Sequence, residues 1–310
     1  MYYLVYGFFY LFSLLPMWVL YGISNFACWL IFGVIGYRRE VVYKNLAIAF
    51  PEKTKAERTA IAKKFEQNFT DTFLETIKLF SASKSFLMKR VSGNLDAINA
   101  LWDTGQRCQV HAGHNFNWEM AQIAFAYYSK FPLMGVYMPL KNKTMDRVFI
   151  KLRSRSGTIL IPAPDMRKSM LPYRNTQYLL ALAADQVPGN LPKAMWLNFF
   201  GMPSAFASGP ERGARTGNIP VIFLHITKEK RGHYFIHSKL ATDQPASLAA
   251  GELTRMYRDF LEEVISERPD MWLWSHRRWK KSWQPEYAEQ WIDQVPPPER
   301  AIHPYETIKN

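Results

Sequence analysis

Gln109-Val-His-Ala-Gly-His-Asn-Phe-Asn-Trp-Glu-Met120 is the stretch that decides how this chain is read. It opens as an apolar strand, breaks at Gly113, and runs on into a helical pattern. His114 falls on the turn and Glu119 in the first helical turn behind it. On a continuous helix, positions five apart are rotated by roughly 140°, so the two side chains share a site only if His114 precedes the helix. Gly113 and Asn115, a turn and cap residue, support that placement. An imidazole with a carboxylate close enough to orient it is the equipment of a general base acting on a hydroxyl. The plainer alternative is a capping histidine and an ordinary first-turn glutamate. His111 reads as the strand's last residue with a structural hydrogen bond. A zinc reading of His111, His114 and Glu119 lacks the helical spacing that would put ligands on one face, so no metal is expected.

Outward from this turn, apolar β-like runs alternate with helical stretches. Strands are expected at 107–111, 133–138, 158–162, 180–184, 195–199, 220–226, 234–240 and 271–274. Helices are expected at 118–129, 143–155, 205–216 and 248–267. Thr54 with Glu57 forms a capping box that opens a further helix running to about Ser81, after a connector at 45–51. The alternation predicts an α/β fold, layered around a central, largely parallel sheet flanked by helices. In such sheets ligands bind outside the carboxyl ends of the strands, where the His114 turn falls.

The first charged residues are Arg38 and Arg39, then Glu40 and Lys44. Residues 1–37 carry none, a run longer than the roughly 20 residues that cross a bilayer core. Pro16 breaks or kinks it. A cleaved signal peptide fits poorly, because no positive segment precedes the apolar run. The competing reading is a buried hairpin of a soluble core. We read residues 1–37 as an N-terminal membrane-anchor helix and 38–310 as the catalytic domain, with a surface tail from about 284. Cations on the C-terminal side of the anchor place that domain in the cytoplasm. The formal net charge of +13 calls for an anionic partner. No nucleic-acid motif is present, which leaves an anionic membrane face or an acidic protein. Two cysteines, Cys28 and Cys108, make no disulfide framework.

Four further stretches give the chain a resemblance. Leu182-Ala-Ala-Asp-Gln-Val-Pro-Gly189 is followed by Asn198-Phe-Phe-Gly-Met-Pro203 and by Gly213-Ala-Arg-Thr-Gly-Asn-Ile-Pro-Val221. Met271-Trp-Leu-Trp-Ser-His-Arg-Arg-Trp-Lys280 lies near the end. Together with the His-x-x-x-x-Glu turn, their order resembles the late acyltransferases of lipid A biosynthesis, within the glycerolipid and lysophospholipid acyltransferase superfamily. The resemblance runs from Met1 to about Trp283.

It implies transfer of a fatty acyl group from an acyl-carrier-protein thioester to a hydroxyl of a lipid A precursor at the inner membrane, without a cofactor. His114 would take the hydroxyl proton, and Glu119 would hold the tautomer and stabilise the imidazolium. Arg153, and after it Arg167, match the position of a basic residue that holds phosphate or the thioester. Asp185 ends an apolar strand, where a carboxylate is costly unless paired, so it is expected beside an arginine or His114. Gln186 and Gly189 would shape its loop. Arg277, Arg278 and Lys280, interleaved with Trp274, Trp279 and Trp283, are expected to contact the membrane or lipid phosphates. His276 is expected to pack or hydrogen-bond. The loop after Gln186 departs from the family's usual wording, which bears on the acceptor more than on the reaction. Acylation of lysophosphatidate or an amino-acid lipid stays open as an alternative, as does a catalytically silent lipid-binding protein.

Overall fold

In the computed structural model, which describes residues 1–307, the expected alternation becomes a sheet covered by helices on both faces. The strands are β1 (Val91–Gly93), β2 (Cys108–Ala112), β3 (Leu133–Tyr137), β4 (Ile159–Pro162), β5 (Leu179–Ala183), β6 (Ala194–Phe199), β7 (Met202–Ala207), β8 (Val221–Lys230) and β9 (His233–Thr242). Seven of them form one sheet in the order β1-β9-β8-β2-β5-β3-β4, while β6 and β7 form a separate hairpin. Every neighbouring pair in the large sheet is parallel except β8 and β9. Strand β2 sits between β8 and β5, and Cys108, Gln109, Val110 and His111 are all buried, so both of its faces are covered.

The helices are α1 (Tyr2–Ser13), α2 (Met17–Cys28), α3 (Arg39–Ala49), α4 (Lys55–Lys78), α5 (Lys84–Met88), α6 (Asp96–Asp103), α7 (Trp118–Tyr128), α8 (Lys143–Arg153), α9 (Met166–Met170), α10 (Gly209–Gly217), α11 (Glu252–Glu267) and α12 (Pro304–Thr307). A π-helical stretch, Trp29–Val34, continues α2. The capping box forms as expected: Glu57 N–H donates to the Thr54 hydroxyl, and the Glu57 carboxylate accepts from Thr54 N–H at 2.7 Å. Phe65 of α4, Met120 and Ile123 of α7, and Leu261 and Ile265 of α11 join one apolar core with the sheet.

Helix α4 also carries a buried polar spine. Glu75 accepts hydrogen bonds from Tyr21 Oη at 2.9 Å, Asn117 Nδ2 at 2.9 Å and Tyr234 Oη at 2.6 Å. One turn earlier, Asp71 accepts from Ser24 Oγ at 2.7 Å, Lys228 Nζ at 3.2 Å and Arg231 Nε at 2.9 Å. Burial alone would raise the Asp71 pKa, but Arg231, Lys228 and Ser24 outweigh it and hold it below the usual carboxylate value. The two carboxylates tie α2, α4 and the β8–β9 hairpin into one network. Met17–Val34 is apolar and long enough to cross a membrane by length and composition, yet Leu20, Ser24 and Phe32 on it are buried against the body.

Several boundaries differ from the sequence reading. Residues 45–49 are the end of α3 rather than a connector, and Asn45 points inward, donating to Trp274 O and His276 O at 2.7 and 2.8 Å. The helix expected from 205 begins at Gly209, with Pro210 in its first turn. The residues before it pair as β7 with β6 across a two-residue turn, where Phe200 and Gly201 have φ of 52° and 69°. The strand expected at 271–274 is a 3₁₀ turn (Pro269–Met271) followed by a single bridge between Trp272 and Asn115. The expected surface tail instead folds back over the β6–β7 hairpin. Trp283 pairs with Ile302 and is fully buried, and Tyr287 stacks on Trp196.

Asp71→Ala should leave Lys228 and Arg231 partly buried without their carboxylate. We expect a loss of about 3 kcal/mol in chemical denaturation in detergent, whereas a loss under about 0.5 kcal/mol would mean the network contributes little.

Candidate active site

The site grows from sheet register. Strands β2 and β5 are parallel neighbours with Ala112 opposite Ala183. Each chain then overruns its strand by two residues, and those residues are His114 and Asp185. Equal overrun from paired positions brings them side by side at the carboxyl end of the sheet. His114 Nδ1 lies 2.6 Å from Asp185 Oδ1, and His114 backbone N–H donates to Asp185 Oδ2 at 2.8 Å. Trp272 Nε1–H donates to the same Oδ2 at 2.7 Å. At Gly113 the backbone runs close to its neighbours: a Cβ there would crowd Leu261 Cδ2 at 3.1 Å and touch Asp185 Oδ2 at 3.4 Å.

An ionised carboxylate only accepts, so the shared proton sits on His114 Nδ1, and in the neutral ring Nε2 keeps its lone pair. Asp185 is 1% exposed and the His114 side chain 23% exposed. Burial would raise the Asp185 pKa, yet the charge and hydrogen bonds of His114, with Trp272, hold it well below the usual carboxylate range. For His114, burial favours the neutral ring. The Asp185 charge and hydrogen bond, helped by the Glu119 charge, outweigh burial and Arg153 and raise the imidazole pKa above its ordinary value. The ring packs edge-on against Trp118 at 5.6 Å between centroids.

The carboxylate bonded to the His114 ring is therefore Asp185, whereas the sequence reading expected Glu119 there. The helix after the turn is capped by Asn117, whose side chain accepts from Met120 N–H, rather than by Asn115. Glu119 falls in the first turn of α7 and is engaged elsewhere. Arg153 Nε donates to its two carboxylate oxygens at 2.9 and 3.1 Å, Arg153 Nη2 donates to Oε1, and Trp118 Nε1 donates at 3.2 Å. Arg153 caps this pairing from the end of α8, with its guanidinium 5.2 Å from the Phe149 ring centre. Two carboxylates thus flank the site with different tasks, one on the imidazole and one on an arginine.

The other expected site residues separate. Gln186 is half-buried in the loop after Asp185, and Gly189 is exposed with open space around it. Arg167 stands exposed on α9. Arg277 and Lys280 are exposed, but Arg278 is 1% exposed, between the rings of Phe199 and Phe206 at 5.2 and 4.4 Å. Among the described residues, its Nε, Nη1 and Nη2 have no hydrogen-bond partner. Burial pushes its pKa down to about 10, against the pull of Asp185. Trp274, Trp279 and Trp283 are buried as well, so these four residues lie inside the protein and not at a membrane interface.

His276 accepts weakly from Val187 N–H at 3.4 Å, and burial with the charge of Arg278 pushes its pKa down to about 4. His111 is buried in β2, 3.0 Å from the Gln109 amide, and burial pushes its pKa to about 3, so it is a neutral structural residue. Trp272 is the contributor that sequence reasoning missed. Its signal was present in the Trp-rich stretch, but nothing there distinguished a carboxylate ligand from a packing residue.

An NMR titration of the His114 ring should give a pKa above the ordinary value of about 6.5, and Asp185→Asn should bring it down. A value unmoved by Asp185→Asn would contradict this geometry.

Comparison with known proteins places these features in a family. A search of curated proteins gives no match. The family model described as "Bacterial lipid A biosynthesis acyltransferase" matches residues 1–281, which includes both carboxylates, His114 and the Trp272 loop. The chain belongs to the bacterial lipid A biosynthesis acyltransferase family and is an acyl-transferring enzyme.

Proposed function

We propose that this acyltransferase moves a fatty acyl group from an acyl-carrier-protein thioester to a hydroxyl of a lipid A precursor, at the cytoplasmic face of the inner membrane. The observation that carries the reading is the His114–Asp185 pair, which leaves Nε2 as the base at the strand ends. An alkyl hydroxyl is too weak a nucleophile unless its proton leaves as it attacks. His114 Nε2 accepts that proton while the oxygen bonds to the thioester carbonyl carbon. Asp185 stabilises the imidazolium and fixes the ring. Collapse of the tetrahedral intermediate breaks the C–S bond, and the imidazolium returns the proton to the departing thiolate. No acyl-enzyme is required.

Glu119 acts through Arg153 in this scheme. It uses Arg153 Nε and Nη2, so Nη1 is left to face a developing oxyanion or a lipid phosphate. Glu119 also adds negative field at the imidazole. The exposed cations Arg167, Arg277 and Lys280 suit an acidic carrier protein or phosphates, and Gln186 and Gly189 border the acceptor side of the Asp185 loop.

Purified protein given acyl-carrier donor and a tetra-acylated lipid A precursor should yield a product heavier by one acyl chain. Asp185→Asn should lower kcat/KM by roughly 10²–10⁴, and His114→Ala should lower it at least as far. Equal product from His114→Ala would rule out the base. Transfer to lysophosphatidate or an amino-acid lipid alone would keep the chemistry and move the acceptor. No transfer to any lyso-lipid would favour a lipid-binding role.

A further inference from the structure

The N-terminal helices have an exposed apolar face and a second face that packs Tyr6, Phe9, Leu20 and Phe32 against the body. Leu4, Phe8 and Leu11 on α1, then Trp18, Phe26 and Trp29 along α2 and its continuation, are all exposed, and their spacing of three, four or eight keeps each set on one helical side. The other side is bonded to the body through polar groups. Lys78 Nζ donates to Ser13 O at 2.8 Å and Leu15 O at 3.0 Å, while Ser81 Oγ donates to Ser13 O at 2.9 Å. Further along, Tyr21 and Ser24 donate to Glu75 and Asp71, and Arg231 Nη2 donates to Asn25 Oδ1 at 2.8 Å. Arg231 also lies 4.2 Å from the Tyr21 ring centre.

A helix held this way is poorly placed to cross a bilayer. Residues 17–34 would reach about 27 Å at 1.5 Å per residue, so length alone allows a span. To span, however, α2 must either leave α4, stripping Asp71 and Glu75 of partners, or carry Asp71, Lys228 and Arg231 into hydrocarbon. Both routes put unsatisfied or charged groups where water cannot reach them. Lying in one leaflet avoids both, because only the apolar side meets lipid.

The rim of this face is cationic. Arg38 and Arg39 are exposed immediately after the apolar run. On α8, which packs beside α1, Lys143, Arg147 and Lys151 are exposed at four-residue spacing, and the Arg147 guanidinium lies 4.1 Å from the Tyr2 ring centre. Apolar aromatics bordered by arginine and lysine match an anionic headgroup layer over acyl chains. Arg153 lies six residues beyond Arg147 on the same helix, a rise of about 9 Å, which puts the Glu119–Arg153 pair close above that layer.

We infer that α1, α2 and the Trp29–Val34 stretch form an in-plane docking face for one leaflet of an anionic bilayer, and that the chain does not cross the membrane. This rests on the membrane location proposed above and is decided separately from it. Protease-cleavable tags on both termini, probed in spheroplasts and in inverted inner-membrane vesicles, give the test. Both tags should be cut only in inverted vesicles, with the protein in the membrane fraction. An N-terminal tag cut in spheroplasts would overturn the in-plane arrangement and leave membrane location intact. Protein in the soluble fraction would overturn both. Phe8→Glu with Trp18→Glu should weaken binding to phosphatidylglycerol vesicles roughly tenfold or more with thermal unfolding unchanged. Arg147→Ala with Lys151→Ala should weaken binding to those vesicles but not to neutral phosphatidylcholine ones. Unchanged binding in both variants would overturn the assignment of this face.

Discussion

A buried carboxylate must be surrounded by donors, and Asp185 sets that condition for the whole active end of the molecule. Taking a carboxylate out of water costs several kcal/mol unless its oxygens are satisfied. Here the donors are the His114 backbone, the His114 ring and the Trp272 indole. Each comes from a different part of the fold. Register between β2 and β5 delivers the histidine, and the Asn115–Trp272 bridge delivers the indole. The same requirement that stabilises the fold locks the imidazole in one tautomer with its other nitrogen available. Structural satisfaction and chemical readiness are one set of hydrogen bonds.

A second constraint links this site to its surroundings. Helix α8 holds Glu119 through Arg153 at one end and lies along α1 at the other. Glu75 does something similar on the opposite side, bonding Tyr21 of α2 and Asn117, the cap of the helix that carries Glu119. The apolar N-terminal helices are thus fastened to the elements that carry Glu119 and Arg153. With the membrane docking proposed above, the α8–α1 contact and the Glu75 hydrogen bonds would hold the site at a fixed height over the bilayer.

Much of this was legible in the residues. The α/β alternation, the strands at β2, β3 and β5, the Thr54 capping box and the His114 turn follow from periodicity and turn chemistry. Asp185 was marked by its own cost at an apolar strand end. What stayed hidden depends on tertiary pairing. Nothing local distinguishes which of two carboxylates reaches His114, since Glu119 is near in sequence and Asp185 only through sheet register. Arg278 looked like its neighbours Arg277 and Lys280, yet packing between Phe199 and Phe206 removes it from solvent. The tail after Trp283, rich in proline and charge, gives no local sign that Tyr287 and Trp291 dock on Trp196, about 90 residues earlier. The N-terminal run stands out by its lack of charge, but how it lies on the body is set by Asp71 and Glu75 on another helix.

The central claim is that Asp185 tunes His114 as the base. The most direct measurement is the pH dependence of kcat/KM for acyl transfer, compared between the native enzyme, Asp185→Asn and Glu119→Gln. Since the base must be unprotonated, the native rate should rise through an ionisation above about 6.5, and Asp185→Asn should move that rise to lower pH while lowering the plateau. Glu119→Gln should move it less. An ascending limb that stays in place without Asp185, or that follows Glu119 instead, would contradict the account.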